Sequence, residues 1–157
     1  MAGRNLLVAQ GGGPTAVINS SLLGVIDEAL RRREIDGIYG ALYGIEGVLR
    51  EEIIDLKGQD EGLLRGLKGT PGAALGSCRR RLTEKDCRRV LEVFKAHDIG
   101  FFLYIGGNDS MDTADKIDRL ASELGYDVNV IGVPKTVDND LAYTDHCPGY
   151  GSAARYM

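Results

Sequence analysis

The sequence predicts a Rossmann-like, three-layer α/β sandwich with a mostly parallel sheet, and three observations carry that expectation. Short apolar runs alternate with stretches of helical periodicity, the pattern of βαβ units. Three of the runs stop at polar loops bearing glycine or aspartate, where open α/β sheets bind ligands. Glycine also reaches 22 of 157 residues, about twice the usual share of about 7%, yet with only 4 prolines and no three-residue period, so collagen-like and low-complexity chains are excluded. Residues 1–157 are expected to form a single domain.

The first run, Leu6-Leu7-Val8-Ala9, stops at Gly11-Gly12-Gly13. Val17, Ile18, Leu22, Val25, Ile26 and Leu30 then recur at helical spacing, with Pro14 suited to the first turn and Arg31, Arg32 and Arg33 to the negative end of the helix dipole. A second strand is expected from Ile38 to Tyr43. The stretch from Gly37 to Gly76 holds 10 glycines and reads as loops, a short strand at Ile53-Ile54, and a turn or short helix near Glu61 to Leu67. Thr83 followed by Asp86 is a helix-start pattern, and Cys87, Val90, Leu91 and Phe94 continue its apolar face. Ile99 to Ile105 is a buried strand that ends at Gly106-Gly107-Asn108-Asp109-Ser110. Met111, Ala114, Ile117, Ala121 and Leu124 form the next helical stripe. Val128 to Val133 is a further strand, ending at Pro134-Lys135-Thr136-Val137-Asp138-Asn139-Asp140. The chain stops inside what reads as the start of another helix, Gly149 to Tyr156, so it is expected to be cut short.

Composition removes several function classes. A net charge of −4 offers no broad basic face, so nucleic acid is not an expected partner. No apolar run approaches the roughly 18–20 residues of a membrane span. Met1-Ala2-Gly3-Arg4-Asn5 leads into only a short apolar run, which disfavours a secretory leader. Cys78, Cys87 and Cys147 are odd in number without C-x-x-C spacing; they read as reduced thiols of a cytoplasmic protein.

The three loops carry the chemistry. In the first, Gly11-Gly12-Gly13-Pro14-Thr15, glycine allows backbone N–H groups to approach an anion at a helix start. The spacing Gly11-x-Gly13-x-x-Ala16 also fits a dinucleotide fingerprint, and a plain strand-to-helix turn is the simpler alternative. No G-x-x-x-x-G-K-[ST] motif occurs. The second loop combines a glycine turn with Asn108, Asp109 and Ser110, ordinary helix-capping residues that also suit phosphate and a hard cation such as Mg²⁺. The third loop is the least easily explained as a turn. Lys135 can hold a transferring phosphoryl group three residues before Asp138, a carboxylate able to take a hydroxyl proton.

In this order and spacing, the loops resemble the N-terminal part of 6-phosphofructokinases, from Leu6 to Met157. The ATP-dependent branch typically reads G-G-D-G-[ST] and P-[GA]-T-I-D-N-D at the second and third loops. This chain instead has Asp109 at the third glycine and Lys135 at the small residue, the marks of the pyrophosphate-dependent branch. An aspartate there would meet a nucleotide's α-phosphate with like charge and bulk, while the lysine would supply positive charge to pyrophosphate.

The resemblance implies transfer from pyrophosphate to fructose 6-phosphate with Mg²⁺, in a cytoplasmic glycolytic homo-oligomer. It makes Asp138 the base for the sugar 1-hydroxyl, with Thr136 and Asp138 contacting fructose 6-phosphate. Gly12, within Gly11 to Gly13, would meet the donor, joined by Arg79 of Leu75-Gly76-Ser77-Cys78-Arg79. Asn108 stands where the family carries an Mg²⁺-associated aspartate. Phosphofructokinases are more than twice this length, so the isolated chain is expected to be inactive or very weak while still binding an anion. The alternatives are an ATP-dependent 6-phosphofructokinase, a dinucleotide-binding Rossmann module, which needs an acid at the end of the second strand, and a non-catalytic regulatory fragment. His97 and His146 carry no proposed role.

Overall fold

The computed structural model describes residues 3–157; Met1 and Ala2, at the head of the segment read against a secretory leader, lie outside them. The strands are β1 (Arg4–Gln10), β2 (Ile35–Ala41), β3 (Ile53–Asp55), β4 (Ile99–Gly106) and β5 (Asn129–Pro134). They form one sheet in the order β3-β2-β1-β4-β5. All neighbours pair in parallel except β3, which runs antiparallel at the edge beside β2. The helices are α1 (Ile18–Ala29), α2 (Ile45–Arg50), α3 (Glu61–Gly66), α4 (Glu84–Ala96), α5 (Asn108–Glu123) and α6 (Tyr150–Tyr156), with a 3₁₀ turn at Leu67–Gly69. None of the described helices is long and apolar enough to cross a membrane.

The two faces of the sheet bury different residues of the same strands. Leu7, Ala9, Phe102 and Tyr104 pack under α2, α4 and α5, while Leu6, Val8, Ile38 and Ile105 pack under α1 and the α3 region. The alternation follows the period of two along a strand, and burial on both faces explains why β1 and β4 read as continuous apolar runs. Connections from β1 run outward to β2 and then return to β4 on the other side of β1. The switch in direction opens a crevice beyond the carboxyl ends of β1 and β4, the ligand position in sheets of this kind.

Local chemistry sets most boundaries. Thr83 and Asp86 make a reciprocal capping box at the start of α4, and Asp60 caps α3 by accepting from the Leu63 amide at 3.0 Å. Helix α1 begins only at Ile18, leaving Pro14 in the preceding loop, and Arg31 to Arg33 lie past its C-cap, Leu30. The second strand begins at Ile35 and ends at Ala41 instead of reaching Tyr43, which has a φ of 57°. Helix α2 was not expected from the sequence. Its N-cap is Gly44 at φ 65° and Gly47 lies inside it, and interior glycine argues against helix. Fully buried Ile45 and Val48 hold it by packing, as tertiary contact must for a helix of six residues. The cysteines are free, Cys87 and Cys147 buried and Cys78 half-buried.

Candidate functional site

The loop of Gly11 to Gly13 is built by continuing β1 one residue and then clamping it. The Gly11 amide donates to the Ile105 carbonyl at 2.8 Å, and the Gly12 amide donates to the Cys78 carbonyl at 3.1 Å. The Gly12 carbonyl accepts from Ser77 Oγ at 2.6 Å. A little upstream, the Leu75 amide donates to Oε1 of the buried Gln10 at 2.9 Å. Residues 75–78 are thereby fastened alongside the end of β1, which delivers Arg79 to the mouth of the loop. Gly12 has a φ of 72°, and a Cβ there would stand 3.3 Å from Lys135 Nζ; one on Gly13 would stand 3.5 Å from Arg79 Nη2. Two cations therefore flank the loop.

Gly11 has a different role from the one read in the sequence. It is buried, its amide is committed to Ile105, and a Cβ would come within 2.6 Å of Ser110 Oγ and 2.7 Å of the Tyr104 hydroxyl. Glycine is required there for close passage of β1 past α5, not to offer its N–H to a ligand. The Gly12 amide is likewise taken, whereas the Gly13 amide has no partner among the described residues.

Opposite the loop lies the start of α5. The amides of Gly107, Asn108 and Asp109 have no acceptor among the described residues, as expected for the first turn of a helix. The dipole of this 16-residue helix favours an anion at that end. Gly12, Gly13, Arg79, Asn108, Asp109 and Lys135 line one cleft of about 400 Å³. Asp109 is exposed at its rim and pairs with Arg81 at 3.4 Å.

Lys135 dominates the electrostatics. It is 4% exposed, its backbone amide donates to the Gly106 carbonyl at 3.0 Å, and its ammonium donates to the Gly13 carbonyl. Burial, with the Arg79 charge adding to it, lowers its pKa below the usual lysine value. An ammonium has three donors, and among the described residues only one acceptor meets this one. A buried cation with spare donors, next to a second cation, calls for an anionic partner.

The loop after β5 is organised around Asp140. Its carboxylate accepts from Asn108 Nδ2 at 3.1 Å and from Thr136 Oγ1 at 2.9 Å, and those two bonds lower its pKa. Thr136 Oγ1 also accepts from the Asp138 amide at 3.0 Å. Asn139, at φ 55°, donates to the Asp145 carbonyl at 3.1 Å and accepts from the Cys147 amide at 2.9 Å. The Asp138 carboxylate is exposed and has no partner among the described residues. Thr136 and Asp138 thus stand beside the cleft and connect to it through Asp140 and Asn108.

The phosphofructokinase family profile matches residues 5–157. This chain belongs to the phosphofructokinase family. It is 54% identical to the pyrophosphate--fructose 6-phosphate 1-phosphotransferase of Xanthomonas campestris pv. campestris, over 99% of this chain and 38% of that protein. Among solved structures, it is similar to the pyrophosphate-dependent phosphofructokinase of Nitrosospira multiformis, with a TM-score of 0.93 and 49% identity over 98% of this chain and 39% of that one. The corresponding enzyme of Marinobacter aquaeolei gives a TM-score of 0.90 and 50% identity over 98% of this chain and 38% of that chain. The chain therefore spans about 38% of the length of the curated phosphofructokinase relative.

Several site features were not read from the sequence. Ser77, whose hydroxyl holds the Gly12 carbonyl, lies 65 residues from its acceptor, and nothing in local spacing connects them. The Tyr104 side chain beneath Gly11 read only as part of a strand. The bond from Asn108 to Asp140, which links the third loop to α5, likewise joins residues 32 apart.

Proposed function

We propose that the cleft binds pyrophosphate and that the protein transfers one of its phosphoryl groups to the 1-hydroxyl of fructose 6-phosphate, giving orthophosphate and fructose 1,6-bisphosphate. The observation that carries this reading is the pairing of a buried Lys135 ammonium, close to Gly12 and bonded to Gly13, with the Asp109 carboxylate at the rim of the same cleft. A compact dianion or trianion gains from the lysine, Arg79 and the first turn of α5. A nucleotide's longer phosphate chain meets a like charge at Asp109.

In this reading each residue takes the role that the family resemblance implies. Asp138 accepts the proton of the sugar hydroxyl as its oxygen attacks phosphorus, Thr136 and Asp138 hold the sugar phosphate, and orthophosphate leaves. Lys135, with Arg79, stabilises the charge on the phosphoryl oxygens and the leaving group. No trio of His, Cys, Asp or Glu among the described residues converges on a metal position. The Asn108 amide in the cleft and the Asp140 carboxylate bonded to it do offer hard oxygen, which suits Mg²⁺ held partly by substrate phosphates. When bound, that ion would supply charge neutralisation at the phosphates. The reading includes a cytoplasmic, glycolytic homo-oligomer.

A dinucleotide module fares worse. It needs a free carboxylate after β2 for a ribose hydroxyl, but Glu46 lies within α2 and pairs with Arg50 at 3.3 Å. The test is an assay of the product of the whole reading frame for fructose 6-phosphate-dependent release of orthophosphate from pyrophosphate. Turnover with pyrophosphate and not with ATP supports the reading; ATP turnover alone removes it.

A further inference from the structure

We propose that Ser77 is a positioning residue that sets the orientation of the Gly12–Gly13 peptide and so presents the Gly13 amide to the donor phosphate. The inference rests on the phosphate-binding reading of the cleft, but not on which phosphate donor is used.

The Gly12 carbonyl and the Gly13 N–H belong to one planar trans peptide, so they point in opposite directions. Ser77 Oγ donates to that carbonyl at 2.6 Å, which turns the Gly13 N–H away from Ser77. Gly13 lines the cleft, and its amide is the one in Gly11 to Gly13 that no group among the described residues takes. The neighbouring peptide is fixed from the same side, because the Gly12 amide donates to the Cys78 carbonyl at 3.1 Å. Ser77 and Cys78 therefore hold Gly12 at both of its peptide groups, at a φ of 72°.

Two consecutive glycines offer little resistance to a peptide flip, since neither has a Cβ to restrict φ and ψ. A flip of the Gly12–Gly13 peptide would replace an N–H donor with a carbonyl dipole directed at the anion. The Ser77 hydroxyl opposes that flip by retaining the carbonyl. It needs no contact with the ligand to do so, and it leaves the Lys135 bond to the Gly13 carbonyl intact, because that oxygen belongs to the next peptide.

The test is calorimetric titration of the 157-residue chain with pyrophosphate, orthophosphate and ATP in turn, for the natural chain, Ser77→Ala and Ser77→Thr. Amide NMR follows Gly13, and a thermal melt of each variant reports on the fold. The expected result is a roughly five- to tenfold weaker Kd for pyrophosphate in Ser77→Ala, the scale of one hydrogen bond. Ser77→Thr should restore affinity, the Gly13 amide should respond to pyrophosphate only in the natural chain and Ser77→Thr, and the melting temperatures should differ little. Ser77→Ala with natural affinity would overturn the proposal, as would a natural chain that binds none of the three anions. A natural chain binding ATP as tightly as pyrophosphate, with both weakened by Ser77→Ala, would support Ser77's role while removing the pyrophosphate reading.

Discussion

The two halves of the site are held in opposite ways. In the half around Gly11 to Gly13, backbone groups of Gly11 and Gly12 are bonded within the fold, and Lys135 is buried against the loop. In the other half, the turn from Thr136 to Asp140 lies mostly at the surface, bonded chiefly to itself, and Asp138 has a carboxylate without a partner among the described residues. The Gly11–Gly13 half is thus preorganised by the sheet, whereas the half after β5 presents an unpaired carboxylate to solvent, the one proposed as the base. Perturbing one half should leave the other's property unchanged, and that separation can be broken experimentally.

The largest effect is expected at Asp138. Asp138→Asn should lower kcat of the whole gene product by about 10²–10⁴, the usual value of general base catalysis, while calorimetry finds pyrophosphate affinity unchanged. Loss of pyrophosphate binding in that variant would mean that the halves are not separate. Next comes Lys135→Ala, which should weaken pyrophosphate by about 10- to 100-fold, the scale of a charged hydrogen bond.

The pH dependence sharpens the same point. Burial and then Arg79 lower the Lys135 pKa from the ordinary 10.5, so affinity should fall with rising pH earlier than for an ordinary lysine, and Lys135→Arg should flatten that fall. The unfolded chain keeps this proton to higher pH than the folded one, so the same group makes stability rise with pH across the interval between the two pKa values. Guanidinium denaturation at several pH values, comparing the natural chain with Lys135→Met, reads that slope.

Smaller effects mark the edges of the comparison. Gly12→Ala places a Cβ at φ 72°, 3.3 Å from Lys135 Nζ, and should cost about 1–2 kcal/mol from backbone strain together with pyrophosphate affinity. Thr83→Ala removes the α4 capping box at a cost of about 1 kcal/mol, or about 2–4 °C in Tm. It should leave pyrophosphate affinity unchanged, which separates general destabilisation from damage to the clamp.

The legibility of this molecule divides along physical lines. Strands β1 and β4 were evident because burial on both faces makes their apolar runs continuous, and α4 because its capping box is a local signal. The end of β2 and helix α2 were not, because Gly44 and Gly47 suppress the helical pattern and packing of Ile45 and Val48 supplies what propensity lacks. In the site, the residue types of the three loops read as suited to phosphate, and the structure brings Gly12, Gly13, Arg79, Asn108, Asp109 and Lys135 to one cleft. What the sequence concealed was which amides are available. Gly11 and Gly12 look like ligand donors, yet both N–H groups are consumed by Ile105 and Cys78, contacts made across long sequence separations.

Donor choice is the central claim, and it is tested most directly by exchanging the two residues that carry it. The double variant Asp109→Gly, Lys135→Gly in the whole gene product should lose pyrophosphate use and gain ATP use, measured as kcat/KM for each donor at saturating fructose 6-phosphate. A double variant that fails to gain ATP use, or that retains its preference for pyrophosphate, would contradict it.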